Sequence, residues 1–255
     1  MKNSIVIIGQ GEMGGVFARG FLRTGHPVVP ITRDTDITAL AETLPTPELV
    51  LIAVGEKDLQ ENLARLPDPW RTRVALLQNE LLPADWAAHG YSNPTIISVW
   101  FEKKKGQDAK VLIPSPVHGP HAALLRDALA SIDIPARIVD SDDDMLFELV
   151  RKNVYILTTN IVGLETGGNV SALWRNHQSL ARDVAGEIIR LQEKLTGRTL
   201  DSEALTQGML EAFDGDPQHN CMGRSAPARL QRALALADEH GLQLPTLQGL
   251  ARHIS

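Results

Sequence analysis

At 255 residues, with 43 % hydrophobic and 22 % charged side chains, the chain is long enough to bury a full core, and its composition excludes disorder. A net charge of −6, with the basic residues spread along the sequence, leaves no electrostatic footprint for nucleic acid or an anionic membrane surface. The single cysteine, Cys221, excludes an intramolecular disulfide and a cysteine-based metal site, and fits a reducing compartment.

The first predicted element is a strand over 4–8. Its apolar run is too brief for a signal-peptide core or a membrane span, so a cytoplasmic protein is expected. A helix follows over 14–24, where Val16, Phe17, Phe21 and Leu22 fall on one face and Gly25 is placed to end it. Further strands are expected over 27–31, 48–54, 73–77, 95–99, 110–113 and 136–139, bounded by turn residues. Strands that alternate with helices imply a mostly parallel sheet with right-handed crossovers, an α/β architecture. Lys103, Lys104 and Lys105 read as a solvated loop. His118 and His219 read as turn residues.

From Asp140 the texture changes. Ser141, Asp142, Asp143 and Asp144 suit a linker and then a helix start, where carboxylates meet unpaired N–H groups. Helical patterns then run over 145–166, 177–195 and 226–240, the last closed by Gly241 with Pro245 beyond. The division expected is 1–140 for an α/β domain and 141–255 for an all-helical one.

The first strand leads into Gly9-Gln10-Gly11-Glu12-Met13-Gly14, a GxGxxG pattern at the start of the helix. Placed between a buried strand and an amphipathic helix, the pattern marks a Rossmann dinucleotide-binding loop. Gly9 permits the tight turn, Gly11 lets the backbone approach a pyrophosphate, and Gly14 lets helix and strand pack closely, so the phosphates sit on the helix N-terminus. Gly9, Gln10, Gly11, Glu12, Met13 and Gly14 are therefore the expected cofactor-binding set, with the Glu12 carboxylate turned to solvent. At the end of the second strand stand Thr32 and Arg33, where an acidic residue would take the ribose 2′-OH of NAD. A hydroxyl and a planar, always-charged fork suit the 2′-phosphate of NADP instead, although a strand-end arginine is also at home in solvent. Gln78 and Asn79 follow the fourth strand, at the carboxyl ends that form the ligand crevice. Asn79 fits a ribose or a nicotinamide amide there and fits a plain turn equally well.

Together the glycine loop, Arg33, the run Leu76-Leu77-Gln78-Asn79, and above all Arg151-Lys152-Asn153 followed by Asn160, resemble the ketopantoate reductase family over most of the chain. The resemblance implies an N-terminal Rossmann domain and a helical C-terminal domain for substrate and dimerisation. It implies NADP as cofactor, a small carboxylate as substrate, and a homodimer. It also implies that Lys152 protonates the carbonyl oxygen as hydride arrives and that Asn160 is the second helix asparagine of the site. On a helix Lys152, Ile156 and Asn160 share one face over about 12 Å. A lysine desolvated in a cleft releases its proton near neutral pH.

The sequence departs from the family in several places. Ile156 stands where an asparagine is usual, and Gly55 where a lysine is common. Residues 217–237 contain no Asp or Glu, although the family has a serine and a glutamate near the start of its last long helix. Arg224 and Ser225 occupy that neighbourhood as candidate substrate ligands, whereas Arg229 and Arg232 are expected on the surface. The function expected is NADPH-dependent reduction of a small 2-oxo acid with an altered substrate pocket. A nucleotide-binding sensor without turnover and an amino- or imino-acid dehydrogenase remain alternatives. No HExxH, Gly-x-Ser-x-Gly or histidine ligand spacing is present, so neither metal nor nucleophilic chemistry is expected.

Overall fold

The structure, a computed structural model, describes residues 2–254. It falls into two compact units, the first running to Glu148 and the second starting at Leu149. Among the described residues no helix is long and apolar enough to cross a membrane.

In the first unit the strands are β1 (Ile5–Ile8), β2 (Val28–Ile31), β3 (Leu49–Ile52), β4 (Val74–Leu76), β5 (Thr95–Ile97), β6 (Phe101–Glu102), β7 (Lys110–Val111), β8 (Ser115–His118) and β9 (Ala136–Ile138), of which β6 and β8 were not expected. Seven of them form one sheet in the order β2-β1-β3-β4-β5-β8-β9. All its pairs are parallel except β5 with β8. β1 and β3 are apolar throughout and buried at every position, as central strands covered on both faces must be. Pro30 is tolerated because β2 lies on an edge.

One layer over the sheet consists of α1 (Glu12–Arg23) and α5 (Ala122–Ala130). Their residues Phe17, Phe21, Leu125 and Leu129 pack with Ile5, Ile7, Leu49 and Leu51 in a single core. Shorter helices α2 (Ile37–Thr43), α3 (Leu59–Ala64) and α4 (Pro83–Ala87) link the remaining strands. The buried rings near them find polar partners: Trp70 Nε1 donates to the Leu44 carbonyl at 2.8 Å and Tyr91 OH to the Leu63 carbonyl at 2.8 Å.

Two strand expectations are corrected. The segment read as a sheet strand over 110–113 is instead the short β7, which pairs only with β6 in a separate hairpin. The strand between β5 and β9 is β8, through Pro116 and His118, where proline and histidine had suggested a turn. Pro116 lacks an N–H, but its carbonyl accepts from Ser98 N at 3.0 Å. His118 is held by the Val139 carbonyl and by Asp142, both at 2.9 Å, so its ring clips the end of β8 to the chain that follows.

α6 (Asp142–Thr166) starts at the acidic cluster as expected, but its first turns belong with the first unit. Glu148 forms an ion pair with Arg137, and its carbonyl accepts from Ser98 Oγ at 3.5 Å. The first unit thus extends beyond the change in texture at Asp140.

The second unit comprises the rest of α6 and α7 (Val170–Asn176), α8 (Gln178–Thr196), α9 (Ser202–Gly215), α10 (Ala226–Glu239) and α11 (Pro245–Ile254). α8 packs on α7, α9, α10 and α11. Its buried Glu187 accepts from Thr246 N at 2.8 Å and Leu247 N at 3.0 Å, which satisfies the open N–H groups at the start of α11. Asn169 and Asp201 cap α7 and α9 in the same way.

Candidate functional site

β1 delivers the chain to Gly9, which has φ +104 and where a Cβ would lie 2.5 Å from the Ala53 carbonyl oxygen. At Gly14 a Cβ would sit 2.1 Å from the Gly9 carbonyl oxygen, so only glycine lets α1 begin against the turn. Gly11 is different: nothing lies within 4 Å of a Cβ built there, and the residue is exposed. It is the N-cap of α1, and no side chain caps the helix. The first turn therefore offers backbone N–H groups and the positive end of a helix dipole over open space.

Two cavities meet at this point. One, of about 310 Å³, is lined by Gly11, Glu12, Met13, Val54, Gly55 and Asn79, among others, at the carboxyl ends of β1, β3, β4 and β5. The other, of about 770 Å³, shares Gly11, Glu12 and Lys103 and adds Gln10, Gly15 and Arg19. Lys103, expected in a solvated loop, lies between them with Nζ 3.4 Å from Glu12 Oε2. Glu12 is exposed as expected, and its charge is balanced by that lysine.

Gln78 is buried and fully engaged with backbone. Its Oε1 accepts from Leu77 N at 3.1 Å, and its Nε2 donates to the Ile52 carbonyl at 2.8 Å and the Val54 carbonyl at 3.2 Å. The side chain thus fixes the ends of β3 and β4. Asn79 is half-buried, with Nδ2 donating to Glu56 Oε1 at 3.2 Å.

In the second unit, α6 carries Lys152, Ile156 and Asn160 on one face. Lys152 is half-buried, with Nζ 5.6 Å from the Tyr155 ring centre. Burial, and after it the charge of Arg229, lowers its pKa to about 7. Asn160 is buried: its Oδ1 accepts from Arg229 Nη1 at 2.8 Å, and its Nδ2 donates to the Cys221 carbonyl at 3.1 Å and, more weakly, to Thr159 Oγ1 at 3.5 Å. The neighbours of Lys152 are structural. Arg151 Nε donates to the Gly208 carbonyl at 3.0 Å and its Nη2 lies 2.9 Å from Glu211, while Asn153 donates to Gln192 at 2.9 Å. The Cys221 thiol is fully buried and its pKa is pushed up to about 11, which removes it as a nucleophile.

No protein-family model matches the sequence, and no curated protein sequence matches it either. Solved structures do match. A ketopantoate reductase from Ralstonia eutropha aligns with a TM-score of 0.69 at 16 % identity, covering 98 % of this chain and 97 % of its own. A 2-dehydropantoate 2-reductase from Methylococcus capsulatus gives 0.69 at 14 % identity, covering 98 % and 95 %. A D-mandelate dehydrogenase solved with NADH gives 0.68 at 16 % identity, covering 98 % and 97 %. The chain has the ketopantoate reductase fold.

On this ketopantoate reductase fold, the residues singled out from sequence separate clearly. Gln10, Gly11, Glu12 and Met13 line the two cavities, and Gln78 and Asn79 line the smaller one. Thr32 and Arg33 stand apart from both, in an exposed turn where Thr32 N and Oγ1 meet Thr35 Oγ1 at 3.0 and 3.1 Å. Arg224 and Ser225 are exposed just ahead of α10. Arg229, expected at the surface, is buried to 7 % exposure and bonded to Asn160. The helical period carried the signal: Ala226, Arg229, Leu230, Ala233 and Ala237 make up the buried face of α10. For Lys103 the sequence held no such signal, because its position comes from the β6–β7 hairpin.

Proposed function

We propose that the protein is an NADP(H)-dependent oxidoreductase that reduces the carbonyl of a small 2-oxo acid. The observation that carries this reading is the uncapped start of α1, open at Gly11 over a cavity at the strand ends. A pyrophosphate fits there because the Cβ-free position leaves room for its oxygens beside backbone N–H groups. When bound, the reduced nicotinamide supplies a hydride to the carbonyl carbon. Lys152 gives its Nζ proton to the carbonyl oxygen, so the alkoxide is neutralised as it forms and a 2-hydroxy acid results. An ammonium with a pKa of about 7 is suited to that transfer at neutral pH. Arg33 is assigned to the NADP 2′-phosphate, Asn79 to cofactor hydrogen bonding, and Gln78 to holding the strand ends that Asn79 follows. A homodimer in the cytoplasm accords with this reading, since a ketopantoate reductase from Staphylococcus aureus with the same fold is described as dimeric.

A screen of NADPH oxidation against 2-oxo acids, ketopantoate among them, tests the proposal. Lys152→Ala should lower kcat about 10²- to 10⁴-fold while leaving NADPH affinity unchanged. Equal turnover by that variant would overturn the role of Lys152. Tight NADPH binding with no oxidation by any acid would make the protein a nucleotide sensor.

A further inference from the structure

The short hairpin of β6 and β7 stands outside the main sheet, yet one side of it is fastened to α1. Phe101 is buried in the same core as Phe17, with the two ring centres 6.2 Å apart. Side chains two residues apart along a strand share a side, so Lys103, one residue past the end of β6, follows Phe101 toward the helix. There it meets the first residue of α1. Its Nζ donates to the Lys104 carbonyl at 2.9 Å and lies 3.4 Å from Glu12 Oε2. An ammonium has three N–H donors, and these two contacts leave one for a further acceptor. The Lys103 side chain is 22 % exposed and that of Glu12 45 %, so the pair is open to a ligand.

Among the described residues that line the smaller cavity beside Gly11, Lys103 is the one cation, while Glu12 and Glu56 bring carboxylates. Arg19 lines only the larger cavity, seven residues and about 10 Å further along α1. A phosphate that enters the smaller cavity is repelled by the Glu12 charge, and Lys103 is the side chain placed to offset it. The N–H groups at the start of α1 carry partial charges only. An ammonium carries a full one, and its hydrogen bonds to phosphate oxygens are of the stronger, charge-assisted kind.

We propose that Lys103 binds the pyrophosphate of the nucleotide, and that Glu12 lowers that affinity by holding the same ammonium. The proposal rests on the nucleotide-binding part of the reductase reading and adds a residue of the hairpin to it. Lys103 is a cofactor-binding residue with no part in hydride or proton transfer.

The test measures dissociation constants of NADPH and NADH by fluorescence titration, at low and high salt, for the full-length wild type, Lys103→Gln, Lys103→Arg and Glu12→Gln. Lys103→Gln should weaken both nucleotides by the same factor, about tenfold or more, and flatten the salt dependence. Lys103→Arg, which keeps the charge, should recover most of the loss. Glu12→Gln should tighten both nucleotides about threefold, because it removes a repelling charge and frees the ammonium. A pair that only pins the hairpin to the helix would weaken binding in both Gln variants, since each breaks the same contact. Weakened or unchanged binding in Glu12→Gln, unchanged binding in Lys103→Gln, or a loss confined to NADPH would overturn the proposal. A wild type that binds both nucleotides and reduces no acid removes the reductase reading and leaves Lys103 to be judged by these titrations. One that binds neither removes both.

Discussion

Lys152 holds a positive charge where burial and then Arg229 both oppose it. A lysine ordinarily titrates at about 10.4, so its folded pKa of about 7 lies well below its unfolded one. Between those two values the unfolded chain binds the extra proton, and stability therefore rises with pH across that window. Below about 7 the lysine is charged in both states, and the full cost of housing the ammonium is present. Lys152→Met should accordingly be more stable than the wild type at about pH 6, with the gap closing as pH rises toward 10. Paired urea titrations across that range measure it, and a gap that stays constant with pH would mean that the ammonium is not desolvated. At this scale the sequence showed which side chains were capable of chemistry and left their partners undetermined. Asn160 and Gln78 are both amides on candidate surfaces, yet one binds an arginine and the other binds three backbone groups. That choice is made by neighbours distant in the chain.

The β1–α1 turn uses its glycines for two different purposes, which mutation separates. Gly14→Ala forces a methyl group to within 2.1 Å of the Gly9 carbonyl oxygen, so the helix start must shift, at a cost of about 3 kcal/mol. Gly11→Ala meets nothing within 4 Å and has φ −76, which alanine adopts freely, so it should cost under about 1 kcal/mol. Its methyl group would nevertheless occupy the space assigned to phosphate oxygens. The expected outcome is a large fall in melting temperature for Gly14→Ala, and a near-normal one for Gly11→Ala with NADPH affinity reduced at least about tenfold. Fluorescence titration alongside thermal melts checks both. The elements most legible in the sequence are those, like β1, β3 and α1, whose burial is complete or strictly one-sided. β8 was hidden because Pro116 and His118 imitate a turn, and its strand conformation depends on neighbours β5 and β9 in the folded sheet. The period of α10 was legible, but a charged residue on its inner face runs against the usual exposure of arginine.

Over the whole chain, the alternation of strands and helices followed by helices alone specified the architecture, and the structural neighbours share it from end to end. What that architecture does not decide is which dinucleotide the proposed oxidoreductase would take, and on our proposal the discriminating group is Arg33, at the tip of β2 rather than in the sheet. Arg33 is exposed there, beside the Thr32–Thr35 turn and apart from the cavities at Gly11, so it adds affinity only through a ligand group that reaches it. On our proposal the NADP 2′-phosphate is such a group, and NADH lacks it. Ligand at a hundred times its Kd stabilises the protein that binds it by about 2.7 kcal/mol. For a chain of this length that corresponds to a rise in melting temperature of about 5–10 °C. NADPH should therefore raise the melting temperature more than NADH at equal concentration. Arg33→Ala should reduce the NADPH shift to the size of the NADH shift and leave the NADH shift unchanged. Equal shifts from both nucleotides in the wild type would assign the protein to NAD and make Arg33 a solvated strand end.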